Sequence, residues 1–157
     1  EIYAEAPRRN FIDELNLAQL ETLKLQPSPR TEDETFLRRA TIDTIGRLPT
    51  PEERAEYLAD PEAERRDLLI DRLIGSEEYV DYWAYRLSDV LVINGAKIQP
   101  VAVKTYYQWV RDSVEANKPW DQFVREILTA VGESNQSGPT NFYALHQSPE
   151  EMTENAC

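Results

Sequence analysis

The sequence is poor in the residues that build metal and redox sites. Its 157 residues include one cysteine, Cys157, and one histidine, His146. A single cysteine cannot form an internal disulfide or a cysteine-type zinc or iron–sulfur site, and a single histidine excludes a site built on two histidines. The sequence therefore predicts no metal site and no cofactor site within this chain.

Basic residues and long apolar runs are also scarce. The chain has 17 Lys and Arg against 29 Asp and Glu, which gives a formal net charge of −12. An acidic surface repels phosphate backbones, so no nucleic-acid partner is predicted. No segment reaches the roughly 18 consecutive apolar residues of a membrane span, so no membrane insertion is predicted.

The two ends of the chain favour a segment taken from a longer protein. The chain begins at Glu1 rather than at Met, and residues 1–10 lack the basic and then apolar pattern of a signal peptide. Near the other end, Ser148-Pro149-Glu150-Glu151 predicts the start of a helix. We therefore expect that the final helix is truncated.

Apolar residues at helical spacing, separated by capping and breaking residues, fill most of the sequence. This pattern predicts an all-α fold, a compact bundle of about six to seven helices over residues 8–132. A loop and the start of a further helix are expected over residues 133–157. A β-hairpin at Asn94-Gly95 is the alternative for the middle of the chain, because short apolar segments flank this pair.

Capping residues and breakers set the expected helix boundaries. The expected helix starts are at Asn10, Thr31, Thr50, Asp60, Ser76 and Ser148. The fifth helix is expected to end at Asn94-Gly95, the sixth to cover about residues 101–116 and the seventh to start near Pro119. The first helix is expected to be amphipathic, with Phe11, Ile12, Leu15, Ala18 and Leu23 at helical spacing. The seventh helix is expected to bury Trp120, Phe123, Ile127 and Leu128.

Neighbouring carboxylates occur at four expected helix starts, as Asp33-Glu34, Glu52-Glu53, Glu77-Glu78 and Glu150-Glu151. Adjacent residues of a helix point about 100° apart, and acidic residues in a first turn stabilise the helix dipole. Capping therefore explains these pairs better than acid–base chemistry. The sequence also lacks a phosphate-binding loop and a nucleophile elbow, so no catalytic residue is predicted.

Three residues are candidates for surface contacts. Most aromatic residues have core spacing, but Tyr85 and Tyr107 lie off the main stripes and are candidates for binding a polysaccharide. His146 has no second ligand or nucleophile beside it, which favours a surface or capping histidine. Arg38 or Arg39 is expected either to form surface ion pairs or to fix the loop around Pro49.

Several segments together resemble a known family. They are Asn10-Phe11-Ile12-Asp13, Phe36-Leu37-Arg38-Arg39, Ile42-Asp43, Gly46-Arg47-Leu48-Pro49-Thr50-Pro51-Glu52-Glu53, Leu58-Ala59-Asp60, Leu69-Ile70-Asp71-Arg72-Leu73, Tyr79-Val80-Asp81-Tyr82-Trp83, Leu87-Ser88-Asp89-Val90-Leu91 and Asn117-Lys118-Pro119-Trp120-Asp121-Gln122-Phe123-Val124-Arg125. From about residue 8 onward, the chain resembles a domain of unknown function (family 1549) that is typical of planctomycetes and is named for its association with cytochrome c.

The resemblance implies a helical domain of a large exported bacterial protein, and hence an extracytoplasmic location. Its partners would be neighbouring domains of the same polypeptide, and haem c could be attached in the full-length protein. In many relatives, the helix that begins here at Ser148 leads into Cys-x-x-Cys-His, a motif that this sequence does not contain. The resemblance therefore assigns no haem ligand and no catalytic residue to this chain.

Two hypotheses of function follow. The first is a non-catalytic scaffold or interaction module next to haem c-bearing segments. The second is part of a polysaccharide-active enzyme, or a carbohydrate-binding module, whose site is completed by segments outside this chain. A cleft with two converging carboxylates beside exposed Tyr or Trp would favour the enzyme.

Overall fold

The computed structural model describes residues 2–156, and within this range every regular element is a helix. The all-α prediction is therefore confirmed, and the segment proposed as a hairpin arm is helical from Pro100 onward. The helices are α1 (Ile2–Glu5), α2 (Phe11–Thr22), α3 (Asp33–Ile45), α4 (Pro51–Ala59), α5 (Arg65–Ile74), α6 (Glu77–Val90), α7 (Pro100–Glu115), α8 (Trp120–Leu128), α9 (Asn141–Leu145) and α10 (Pro149–Ala156). The short helices α1 and α9 were not predicted.

The chain forms two compact units, and the boundary between them falls between Phe36 and Leu37, within α3. The predicted division at residue 132 stays a prediction. In the first unit, Asn10 and Asp13 form the expected capping box at the start of α2. Phe11, Ile12 and Leu15 lie in α2 as predicted, and their side chains are 70%, 60% and 66% exposed.

The core of the second unit is built by four helices. It contains Ala84 of α6 and Leu91 directly after it, together with one pair of residues from each of α7, α8 and α9, namely Tyr106 and Val110, Phe123 and Ile127, and Phe142 and Leu145. Side chains of α3, α4 and α5 are also buried, among them Leu37, Tyr57 and Leu69. Each of these residues lies on the apolar stripe of its helix, so burial of these stripes stabilises the bundle.

Local capping chemistry fixes several boundaries as predicted. The Thr50 hydroxyl accepts from the Glu53 amide, and the Glu53 carboxylate accepts from the Thr50 amide at 2.7 Å. Ser76 caps α6 through a bond from the Tyr79 amide, and Ser148 caps α10 through a bond from the Glu151 amide. Each of these capping hydrogen bonds joins residues only three positions apart, which is why the sequence reveals them.

Two predicted boundaries are wrong. The helix expected from Asp60 begins at Arg65 instead, because Pro61 starts a turn in which its carbonyl accepts from the amides of Glu64 and Arg65. The helix expected to reach Asn94 ends at Val90, because Val92 adopts a left-handed conformation with φ of 55°. The amides of Val92 and Ile93 then bond to the carbonyls of Asp89 and Ser88, which completes a Schellman motif.

A fork of ion pairs connects α3, α4 and α6. The Arg47 guanidinium donates to both carboxylate oxygens of Glu53, at 2.7 and 2.8 Å, and to both of Glu78 at 2.8 Å. This arrangement holds the loop around Pro49. The sequence analysis named Arg38 or Arg39 as the residue that could fix this loop. Both of those residues are exposed, and Arg47 forms the contacts instead.

Candidate functional site

The structure does not bring the three candidate contact residues together. Tyr85 is 59% exposed on α6, whereas Tyr107 is half-buried and packs against the core. His146 is only 7% exposed, so it does not lie on the surface, and of its two expected positions it takes the capping one. It follows α9, and its backbone amide caps that helix by bonding to the Phe142 carbonyl. Cys157 lies outside the described residues.

An aromatic surface of the second unit lies between α6 and α8. Two adjacent cavities share Leu87, Trp120 and Phe123, and the larger has a volume of about 290 Å³. We call their combined lining the α6–α8 groove. Most of its side chains come from α6 (Tyr79, Trp83, Leu87, Val90) and α8 (Trp120, Phe123, Val124, Ile127, Leu128). The rest of the lining is Leu91, Ser113, Val114, Asn117, Lys118, Phe142 and Asn155.

Several apolar side chains of the α6–α8 groove are open to solvent. Trp120 is 61% exposed, Val90 is 60% exposed and Leu128 is 48% exposed. The inward positions predicted for Trp120 and Leu128 are therefore wrong. Helical spacing identified an apolar stripe on α8, but only Phe123 and Ile127 of that stripe reach the core. Contiguous apolar exposure of this kind marks an interaction surface.

A continuous aromatic stack supports the exposed ring of Trp120. The rings of Trp120 and Phe123 stack at 5.1 Å, and the rings of Phe123 and Trp109 stack at 4.6 Å. Trp109 lies 6.0 Å from the ring of Tyr106, which is fully buried. Each ring limits the motion of the next, so Trp120 is presented on a rigid base.

Polar contacts fix the end of α8 that carries Trp120. Lys118 donates to Glu126 at 2.6 Å and lies 5.0 Å from the Trp109 ring centroid. The Trp109 indole also donates to Glu126, at 3.0 Å. The hydrogen bond from Lys118, followed by that from Trp109, lowers the pKa of the Glu126 carboxyl. Glu126 is therefore charged at neutral pH and locks α8 against α7.

His146 belongs to a second cavity, between the loop after α6 and α10. This cavity has a volume of about 320 Å³, and Lys97, His146, Glu151, Glu154 and Asn155 contribute its polar lining. Lys97 donates to the Leu145 carbonyl at 3.0 Å. Burial is the largest influence on the imidazole and lowers the pKa of His146 below its usual value, so the ring is neutral at pH 7.

Several carboxylates of the four acidic pairs form ion pairs or hydrogen bonds within the fold. Glu53 and Glu78 bind Arg47, and Glu77 binds Arg111 at 3.2 Å. Glu151 accepts from the Gln147 amide at 2.9 Å. Among the described residues that line the α6–α8 groove, none is Asp or Glu. The groove therefore does not contain the two converging carboxylates that would favour a polysaccharide-active enzyme.

Two further features of the described residues bear on the site. In residues 2–156, no group of three or more His, Cys, Asp or Glu side chains is placed to hold a metal ion. Within the same range, no helix has both the length and the apolar character needed to cross a bilayer.

Sequence reasoning missed the α6–α8 groove because spacing alone does not distinguish a buried helix face from an exposed one. Tyr79, Trp83, Leu87 and Val90 recur at helical spacing, which is the signal of a buried face. That spacing shows that the residues share one side of α6. It does not show whether another helix of the domain covers that side.

A profile of the PSCyt2 family, described as a protein of unknown function (DUF1549), matches residues 11–156. The match covers nearly all of the chain and includes both surfaces described above. No curated protein and no solved structure matches it. The chain therefore belongs to the PSCyt2 (DUF1549) family.

Proposed function

We propose that this domain is a non-catalytic interaction module that docks a helix from a neighbouring domain of the same polypeptide in the α6–α8 groove. The observation that carries the proposal is the exposure of Trp120 on a stack of buried rings. A rigid, exposed tryptophan is the residue type that most often dominates binding energy at protein interfaces.

The shape of the α6–α8 groove favours a helix as its occupant. Two helices form its walls, and the apolar side chains of a third helix, spaced three and four residues apart, can pack between them. Leu87 and Phe123 line both cavities and form the floor of the groove. The more exposed side chains of Trp120 and Val90 lie beside them. Burying a large apolar side chain here would contribute about 1.5–3 kcal/mol.

Charge favours a different segment over a second copy of this chain. The net charge of −12 makes two copies repel each other, whereas the walls of the α6–α8 groove carry no carboxylate. An apolar helix flanked by Lys or Arg would fit both the groove and the acidic surface around it.

The family supplies the context for this proposal. The chain belongs to the PSCyt2 family, which has a cytochrome-related name and is described as a protein of unknown function. We place it in an exported, extracytoplasmic multidomain protein, next to segments that carry haem c. The domain itself then holds no cofactor and serves to position its neighbours.

Site-specific photo-crosslinking tests the proposal. A photoreactive phenylalanine analogue would replace Trp120 in the longer polypeptide that contains this domain, and mass spectrometry would map the crosslinks. We expect an intramolecular crosslink to a helix outside residues 1–157. Tyr85 is the matched control, because it is 59% exposed on α6 and does not line the groove. The proposal fails if position 120 gives no intramolecular crosslink or gives the same products as position 85.

A carbohydrate is the second candidate for the α6–α8 groove. Trp83 and Trp120 flank it, and Ser113, Asn117 and Lys118 add polar groups, a combination that suits sugar stacking. The test is titration with soluble oligosaccharides while the indole NMR signals are followed. A saturable shift of the Trp120 signal that Trp120→Ala abolishes would support this candidate, and no saturable shift with any oligosaccharide would end it.

A further inference from the structure

We infer that Asn94 and Gly95 form a site of self-modification, at which the backbone nitrogen of Gly95 displaces the side-chain amide of Asn94, and that this conversion loosens α10. The site lies in the loop between α6 and α7. The reaction takes place within that loop and requires no partner in the α6–α8 groove. The inference therefore does not depend on the proposed function.

The first observation is that the sequence singles out one asparagine. The chain has seven asparagines, and Asn94 alone is followed by glycine. In an intramolecular attack, the following backbone nitrogen must approach the side-chain carbonyl carbon, and a side chain on the following residue hinders that approach. An added Cβ at Gly95 would meet no atom within 4 Å, so neighbouring groups also leave the approach open.

The second observation is the hydrogen bonding of the Asn94 side chain. Its Oδ1 atom accepts from the Ala96 amide at 2.9 Å, in an Asx turn that spans Gly95 and folds the side chain back over it. Negative charge develops on this oxygen during the attack, and a backbone amide aimed at the oxygen stabilises that charge. The Nδ2 atom donates to the Val92 carbonyl at 2.8 Å. Because Asn94 is exposed, water can replace that bond when the nitrogen leaves.

The reaction needs only water as a co-reactant. The Gly95 nitrogen loses its proton to hydroxide and forms a bond to the side-chain carbonyl carbon of Asn94. The bond between that carbon and Nδ2 breaks, and the leaving nitrogen takes a proton from water and departs as ammonia. A five-membered succinimide ring remains. Water then opens the ring at either carbonyl, which gives aspartate or isoaspartate without any oxidation or reduction.

The third observation links this loop to α10. Asn94 lines the second cavity together with Lys97 and Glu151. Lys97 donates to the Leu145 carbonyl at 3.0 Å and pairs with Glu151 of α10 at 3.5 Å. Conversion adds a carboxylate three residues before Lys97, and this carboxylate competes for the ammonium group. The contact between the loop and α10 is weakened as a result.

Peptide mapping of the aged protein tests the reaction. The purified protein would be incubated at neutral pH, and mass spectrometry would locate each asparagine in which OH has replaced NH2. An isoaspartyl methyltransferase would label the isoaspartate product. We expect conversion at Asn94 before any other asparagine. Asn135 is the internal control, because it is exposed in a loop but is followed by glutamine.

A variant of the attacking residue completes this test. Gly95→Ala should slow the conversion about tenfold, because it adds a Cβ beside the attacking nitrogen and so raises the barrier. The proposal is overturned if Asn94 converts no faster than Asn135, or if Gly95→Ala converts as fast as the wild type.

Asn94→Asp separates the effect on α10 from the rate of conversion, since it installs one of the two products. Hydrogen exchange of the α10 amides should become about two- to fivefold faster, the scale of one partly exposed ion pair. Asn135→Asp is the matched control, because it adds the same charge to an exposed loop and does not line the cavity. Unchanged exchange of α10 in Asn94→Asp, or an equal increase in Asn135→Asp, overturns the link to α10.

Discussion

The ring of Trp120 stacks on the ring of Phe123 with 5.1 Å between centroids and 12° between planes. One member of the pair is 61% exposed and the other is 3% exposed. The pair therefore joins the surface of the α6–α8 groove to the core of the second unit. In the docking proposal, the residue that contacts the partner is thus positioned by a residue of the core.

Alanine substitutions should separate these two contributions. Phe123→Ala should lower the free energy of unfolding by about 3–5 kcal/mol, because it leaves a cavity in the core. Trp120→Ala should lower it by only about 1 kcal/mol, the scale of one aromatic pair contact. Urea denaturation of both variants measures the difference. Equal losses would contradict the assignment of Trp120 to a docking surface.

The Arg47 fork should contribute to stability in a pH-dependent way. Hydrogen bonds from Arg47 lower the pKa of the Glu53 carboxyl in the folded state. This stabilisation is therefore present above the unfolded pKa of a glutamate, about 4.3, and is lost as the pH falls through the folded pKa. Arg47→Met should cost about 1–2 kcal/mol at pH 7, since both pairs are partly exposed.

Denaturation at pH 7 and at pH 3 tests the linkage. The difference between wild type and Arg47→Met should shrink at the lower pH, because the stabilisation that Arg47 provides is lost as the pH falls through the folded pKa of Glu53. Arg38→Met is the control, since Arg38 is exposed and lies outside the fork. A difference between wild type and Arg47→Met that does not change with pH would show that Arg47 acts through packing alone.

Val92 should be a position where glycine stabilises the protein. Its φ of 55° places a β-branched residue in the left-handed region, which suits glycine at the end of a helix. Val92→Gly should therefore raise the free energy of unfolding by about 1 kcal/mol. Val101→Gly, within α7, should instead lower it. Thermal denaturation checks both, and a loss of stability in Val92→Gly would contradict this explanation.

Gly138 should resist the smallest possible substitution. A Cβ atom at this position would overlap the Cβ of Trp109 and lie 3.0 Å from the Thr105 carbonyl oxygen. Gly138→Ala should cost about 1–3 kcal/mol through overpacking. At Gly95 an added Cβ would meet no atom within 4 Å, so Gly95→Ala should have little effect. Urea denaturation that shows equal stability for the two variants would contradict the close packing of the loop on Trp109.

The sequence predicted those parts of the fold that depend on near neighbours. Thr50 with Glu53, and Ser148 with Glu151, set helix starts through contacts three residues apart. The fork of Arg47 joins residues 31 positions apart, and nothing in the local sequence selects Arg47 over Arg38. Long-range pairing depends on how the helices pack, which a local pattern does not determine.

The candidate site was harder to predict than the fold. Trp120 and Phe123 share the apolar stripe of α8, yet only Phe123 is covered by other helices. His146 follows a five-residue helix that a loop-like composition concealed, so its burial gave no local signal. Val92 ends α6 in a conformation that is rare for valine, whereas the sequence pointed to Asn94-Gly95. In each case the packing of other helices overrode a local preference.

Hydrogen exchange of this domain, alone and within the longer polypeptide, tests the docking proposal most directly. If a helix docks in the α6–α8 groove, amides of α6 and α8 should exchange more slowly in the longer polypeptide, while those of α4 should be unchanged. Trp120→Ser in the longer polypeptide should abolish the added protection. Identical exchange of α6 and α8 in the two proteins would contradict the account.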